Sequence, residues 1–225
     1  MTGSFIEPLL ISLKTVLATT VITFFVGIAV ARWMARYTGS FKNLIDSLLI
    51  LPLVLPPTVV GFGLLLLFGR NSPVGQLLSE VGVNVVFSWP ATVIAAAIMS
   101  FPLMYMTSRG GFEQVDLNIE NAARTLGASE WRVFWTVTMP LAWPSIISAT
   151  ILSSARAMGE FGATLMLAGN IPGKTATIPV AIYFNIQAGH YDQAMILAVI
   201  VIAMSIISLT ILAYYKQKIN KSARS

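Results

Sequence analysis

Arg156 and Glu160 stand four residues apart inside a stretch that is otherwise apolar. On a helix that spacing puts both side chains on one face. At membrane depth each ionised group costs roughly 2.5–3.5 kcal/mol on insertion scales unless it is paired or faces a polar cavity. The pair therefore has two readings: a self-neutralising contact that fixes helix rotation, or part of the lining or gate of a pathway for a charged substrate. The hydroxyls of Thr150, Ser153, Ser154 and Thr164 lie in the same stretch and would give such a pathway a weakly polar wall, one from which an anion can leave. In the pathway reading Gly159 and Gly162 would allow close packing at an interface between two copies of the chain.

Other chemistry-bearing residues point elsewhere or nowhere. The run from Ala168 to Thr175 ends in Gly173-Lys174-Thr175 and satisfies a relaxed nucleotide-loop pattern. A phosphate loop must join a strand to a helix and offer successive backbone donors, whereas this run contains Pro172 and follows an apolar span. It is not expected to bind ATP. His190 is the sole histidine and has no carboxylate cluster at ligand spacing, so no metal site is expected and a polar loop residue is the default. With no cysteine there is no thiolate ligand or disulfide framework. No nucleophile, base and orienting partner can be assembled from the apolar spans, so the chain is not read as an enzyme and no cofactor is assigned to it.

The elements that must position these residues are set by composition. Apolar residues make up 56% of the 225 and charged residues 10%, and mean hydropathy is +0.79, against roughly 25% charge in a soluble domain. A bilayer core of about 30 Å needs about 20 apolar residues per helix, and five regions qualify: 9–31, 48–68, 87–107, 140–167 and 194–215. Runs such as Leu64-Leu65-Leu66-Leu67 lack the alternation of a barrel strand, so the fold class is an all-α integral membrane protein with about five transmembrane helices in one domain, 1–225. No basic segment precedes the first apolar stretch and no small-residue cleavage site stands out after it, so it reads as a retained span. Pro52, Pro56 and Pro57 fall within the second region, where missing donors and ring clashes must kink or break the helix. Such a break serves packing, or it places free backbone groups along a pathway.

Short cytoplasmic loops keep Lys and Arg. Arg32, Arg36 and Lys42 follow the first region, Arg109, Arg124 and Arg132 the third, and Lys216, Lys218, Lys221 and Arg224 close the chain, while the intervening loops hold only Arg70 and Lys174. The amino terminus is therefore expected outside and the carboxyl terminus in the cytoplasm of a cell-membrane protein. The net charge of +5 is accounted for by these loops and calls for no nucleic-acid partner. In the longest outer connection, Leu77-Leu78 and Val81 are expected to form a short interfacial helix.

One polar island, 110–139, interrupts the apolar pattern on the cytoplasmic side. Ala122, Ala123 and Gly127 are expected on one side of a helix, small enough for close approach by a partner, and Ala128 follows. Trp131, Phe134 and Trp135 add an apolar face while Glu130 and Arg132 stay in water, and Pro140 is expected to start the next span. A helix lying on the membrane with aromatic anchors is the alternative.

The island resembles the cytoplasmic coupling segment of ABC-importer permeases, an acidic residue followed by two alanines, a glycine after three residues, and then an aliphatic, any residue, leucine and proline. Ala122, Ala123, Gly127, Val137 and Pro140 match, Met139 replaces the leucine, and Asn121 replaces the acidic residue, with Glu120 beside it as the candidate substitute charge. The runs 51–61, 156–163 and 167–175 resemble the molybdate and sulfate branch of that family. The resemblance covers nearly the full length. It implies a type I importer transmembrane domain that carries an oxyanion inward, molybdate first, with sulfate or tungstate as alternatives. It further implies a homodimer of permeases, two ATP-binding cassette subunits on the coupling segments, and an extracytoplasmic molybdate-binding protein. A self-sufficient channel or ion-coupled transporter is the rival from another class, and would need acid or histidine relays on several spans.

Overall fold

The computed structural model describes residues 5–222, with side chains to residue 215. Arg224, the side chains of Lys216, Lys218 and Lys221, and the ends of the 1–225 domain lie outside the described residues. All regular structure described is helical. Four helices are long and apolar enough to cross a membrane: α1 (Ile6–Arg36), α5 (Trp89–Glu113), the helix Glu130–Met158, and α11 (Tyr191–Ser222), whose apolar span ends at Tyr215. The fifth expected span is a bent pair, α2 (Lys42–Val54) and α3 (Pro57–Phe68), whose axes meet at 111°.

α5 is the centre of the bundle, with 61% of its apolar window buried against 28% for α1 and 11% for α11. α1 packs on it along a stripe that repeats every fourth residue, Thr15, Thr19, Thr23, Gly27 and Ala31, all buried. Between membrane helices, association relies on close packing and interhelical hydrogen bonds rather than a hydrophobic difference, and this stripe supplies both. Thr15 and Thr92 share a hydrogen bond of 2.9 Å, the Trp89 indole donates to Thr15 at 3.1 Å, and Thr23 meets Ser153 at 3.4 Å. At Gly27 the Met104 side chain lies where a Cβ would stand. α1 has 31 residues, about 46 Å at 1.5 Å each, so its last turns extend past a hydrocarbon core of about 30 Å.

The proline cluster acts at one point. Pro52 is accommodated inside α2, but Leu55, held in an extended conformation by the ring that follows, ends the helix, and Pro57 opens α3. The fourth apolar region differs from expectation at both ends. Its helix begins at Glu130 and runs through α7 (Glu130–Val133), a π-helical turn (Phe134–Thr138) and α8 (Met139–Met158) without interruption, so Pro140 does not start the span. The wider π turn lies just ahead of Pro140, where the hydrogen-bond ladder must change register because the proline offers no donor. The helix then stops at Met158, well short of 167. Gly159 is its C-cap, and a separate short helix, α9 (Gly162–Ala168), follows.

The two breaks pack against each other. A Cβ on Gly61 of α3 would sit 2.7 Å from the Ala163 Cα, and one on Gly162 would sit 2.9 Å from the Pro57 Cβ. Outside this crossing, α4 (Pro73–Glu80) forms the expected short helix between α3 and α5, capped by Ser72, and α10 (Ile178–Gln187) returns the chain to α11. α9 and α10 are not separable in sequence because apolar runs of that length carry no boundary signal apart from glycine and proline. Gly61→Leu should force these half-helices apart, lowering the melting temperature of the purified protein by an amount equivalent to about 1–3 kcal/mol, as overpacking does. An unchanged melting curve would contradict the close packing.

Candidate functional site

The island that follows α5 folds into a helical hairpin rather than one helix. Asp116 caps α6 (Leu117–Thr125) by accepting from the Asn118 N–H at 2.8 Å. The helix closes with Ala128 N–H donating to the Ala123 carbonyl at 3.1 Å and Gly127 N–H to Arg124 at 2.9 Å, while Gly127 takes φ +84°. That is the left-handed C-cap conformation for which glycine is favoured. Gly127 therefore terminates the helix, and the expectation that it shares a helix face with Ala122 and Ala123 is corrected. Ser129 then caps α7 through the Arg132 N–H at 3.4 Å. The hairpin presents Leu126 at 88% and Trp131 at 72% exposure, with Ala122, Gly127 and Trp135 also open, Ala123 and Ala128 half-buried, and Trp131 edge-on to Trp135.

Glu120 points the other way. Its side chain is fully buried, so the expectation that it substitutes an exposed charge for the acidic residue missing at Asn121 is not met. The carboxylate accepts from Thr138 at 2.8 Å, Arg124 at 3.2 Å and Arg32 at 3.4 Å, and is ion-paired with Arg36. Three segments thus meet at one group, α1, α6 and the π turn, and Arg124 of α6 extends the network to Glu130 at the start of α7. Burial by itself would raise the Glu120 carboxyl, but the Thr138 hydrogen bond and the Arg32 and Arg36 charges outweigh it and hold it below 4.5. Asn121 is exposed and accepts from Arg124 at 2.8 Å; Arg124 also forks onto Glu130 at 2.6 and 3.0 Å. These bonds raise the Arg124 guanidinium and lower the Glu130 carboxyl.

A second clamp ties α2 to α5. Arg109 pairs with Asp46 at 2.5 Å and with Glu113 at 2.8 Å, and the Tyr105 hydroxyl donates to Asp46 at 2.6 Å. α2 has no fully buried residue, so this polar contact is a large part of what holds it. Sequence reading used Arg32, Arg36 and Arg109 only for orientation and missed both clamps, because Glu120 lies 88 and 84 positions from Arg32 and Arg36 and Asp46 lies 59 from Tyr105.

In the span, Arg156 and Glu160 do meet, at 3.0 Å, although Glu160 lies beyond the end of α8. Glu160 also accepts the Ala163 N–H at 2.8 Å, so it caps α9 across the break. Thr164 joins Glu160, Ser12, Thr15 and Thr177 around a cavity of about 10 Å³. Ser153 donates to the Ser100 carbonyl at 3.2 Å, and Ser154 and Thr150 donate to carbonyls of their own helix at 2.9 and 2.8 Å. Gly173-Lys174-Thr175 forms a turn between helices α9 and α10, and His190 is exposed ahead of α11.

Residues 17–221 match the family described as the binding-protein-dependent transport system inner membrane component. The chain belongs to that family. It is a multi-pass membrane permease. It is 48% identical over 207 residues to the molybdenum transport system permease protein ModB of Escherichia coli (strain K12), covering 91% of this chain and 90% of that one. With ModB of Azotobacter vinelandii it shares 40% over 189 residues and 84% of each chain. With a probable sulfate transport system permease protein, cysT of Chlorokybus atmophyticus, it shares 33% over 201 residues, covering 89% of this chain and 70% of that one. A bacterial ABC transporter for the import of alginate has the same fold, at a TM-score of 0.77 and 16% identity over 98% of this chain and 80% of that one. An amino acid ABC transporter gives 0.64 and 24% over 95% and 93%.

Because the folded-state carboxyl of Glu120 lies below its unfolded value, its stabilisation is present above about pH 4.5 and is lost as pH falls through the lower folded value. Acid titration of the permease should therefore release the hairpin, read as a change in Trp131 and Trp135 fluorescence, with Glu120→Gln already released at neutral pH. Removing this charge from three guanidiniums that keep partial access to water should cost about 2–3 kcal/mol. A titration identical in wild type and variant would contradict the clamp.

Proposed function

We propose that this permease carries molybdate into the cytoplasm as the membrane subunit of an ATP-driven importer, working as two copies with two ATPase subunits and an extracytoplasmic molybdate-binding protein. The names of the relatives at 40–48% identity support the substrate. The sulfate permease at 33% is the alternative within the family. The basic clusters after α1 and α5 support an outside amino terminus and a cytoplasmic hairpin.

The observation that carries the mechanism is the hairpin itself, an apolar tip of Leu126, Trp131 and Trp135 exposed on a base fixed by Glu120. An exposed aromatic and aliphatic cluster in water marks a docking site, and the tip takes a groove of the ATPase. Glu120 does not reach that partner; it joins the tip to α1 and to the π turn within the fourth span, so a push on the tip moves both. ATP is hydrolysed on the partner chain, and this chain needs no cofactor. The Arg156–Glu160 pair acts as the joint between α8 and α9 beside the Pro56–Pro57 break, where sliding of the two half-helices opens or closes the route.

Vesicles holding this permease, its ATPase and its binding protein should take up labelled molybdate in preference to sulfate on ATP addition; preferential sulfate uptake would overturn the substrate. Leu126→Ala with Trp131→Ala should lower that uptake about tenfold or more while leaving the melting temperature in place. Full uptake by this double variant would contradict docking through the tip.

A further inference from the structure

Arg70 and Lys174, the two cations of the outer loops, line the same cavity. It holds about 640 Å³ and lies between the outer end of α3, α4, the segment leading to α5, and the turn after α9. No carboxylate lines it; Glu7 reaches the backbone at Gly173 from a neighbouring cavity. The floor and walls are apolar, with Leu65, Phe68, Val85 and Phe87 among them. Phe87 is held at φ +58°, where a bulky side chain is strained. Its N–H donates to the Leu167 carbonyl at 3.2 Å and its ring covers Gly169. Strain of this kind persists where the surrounding structure fixes it, and it accompanies binding sites.

The geometry points to this cavity as the seat of an acidic, partly apolar segment that protrudes from the extracytoplasmic binding protein. The inference rests on the importer reading above and names the surface and the charge on that partner. Volume and lining select the occupant. At about 30 Å³ per water the cavity equals roughly twenty waters, far more than one tetrahedral anion occupies, and a bare dianion gains nothing from leucine and phenylalanine walls. A loop with an apolar side chain for the floor and Asp or Glu for the rim satisfies both parts, in the arrangement of apolar centre and polar rim that protein interfaces share. Exposed rim cations chiefly steer the encounter, so the attraction must weaken with salt.

The test measures the affinity of the binding protein for the complete transporter in nanodiscs, at low and high salt. With Arg70→Glu and Lys174→Glu together, affinity at low salt should fall about tenfold and the salt dependence should flatten. Arg70→Lys, which keeps the charge, should bind as wild type does. Melting temperatures confirm that each variant is folded. Unchanged affinity in the folded reversal variant overturns the inference, as does a loss equally large at high salt. Binding of labelled molybdate to the transporter alone that is lost in the reversal variant assigns the cavity to a small anion and also overturns it. Failure of the wild-type transporter to bind the protein at all overturns the importer reading with it, whereas binding that is intact in both overturns this inference alone.

Discussion

A carboxylate removed from water among three guanidiniums sets the terms for the hairpin half of this permease. Glu120 is tolerable there only because Arg32 and Arg36 of α1, Arg124 one turn on along α6 and the Thr138 hydroxyl of the π turn all turn towards it. Their convergence requires α1 to extend past the hydrocarbon core, α6 to lie across its end, and the π turn to widen the helix where Thr138 faces inward. Removing any one of these arrangements leaves a buried charge short of partners. The hairpin tip can therefore be apolar and exposed without being loose, which is what a surface that transmits force needs.

Two further contacts continue that rigid base into the membrane. Asp46 and Arg109 fasten the lightly packed α2 to the central α5, and α2 ends at the proline break. Across that break α3 lies on α9, with Gly61 and Gly162 at the contact, and Glu160 caps α9 while paired with Arg156. The ion pairs described in this bundle are thus concentrated at helix ends and breaks, where backbone groups lack partners within a helix. The long helix contacts between them are made by threonine, glycine and alanine.

The helical class and the four uninterrupted spans were legible in hydropathy because hydrocarbon thickness dictates helix length. The break at Pro56 was legible because proline acts locally. The end of the fourth span was not: residues 159–161 are no less apolar around them than the rest, and only the capping of α9 by Glu160 reveals the stop. The pairing of Arg156 with Glu160 followed from spacing, whereas the burial of Glu120, the candidate substitute charge beside Asn121, was not legible because it depends on arginines distant in sequence. Gly127 was placed on a helix face when its role was to end the helix, since a glycine four residues beyond an alanine pair fits either pattern. The threonine stripe of α1, evident at every fourth position, went unread because threonine in a span attracts no notice until its partner helix is known.

The central claim is that Glu120 and Arg36 act as one unit joining the hairpin to α1. A double-mutant cycle of Glu120→Gln and Arg36→Gln, read as molybdate transported per ATP hydrolysed in the complete importer, tests it directly. The account predicts that either single change uncouples hydrolysis from transport and that the double variant is no worse than the more severe single one. Independent, multiplicative losses would contradict it.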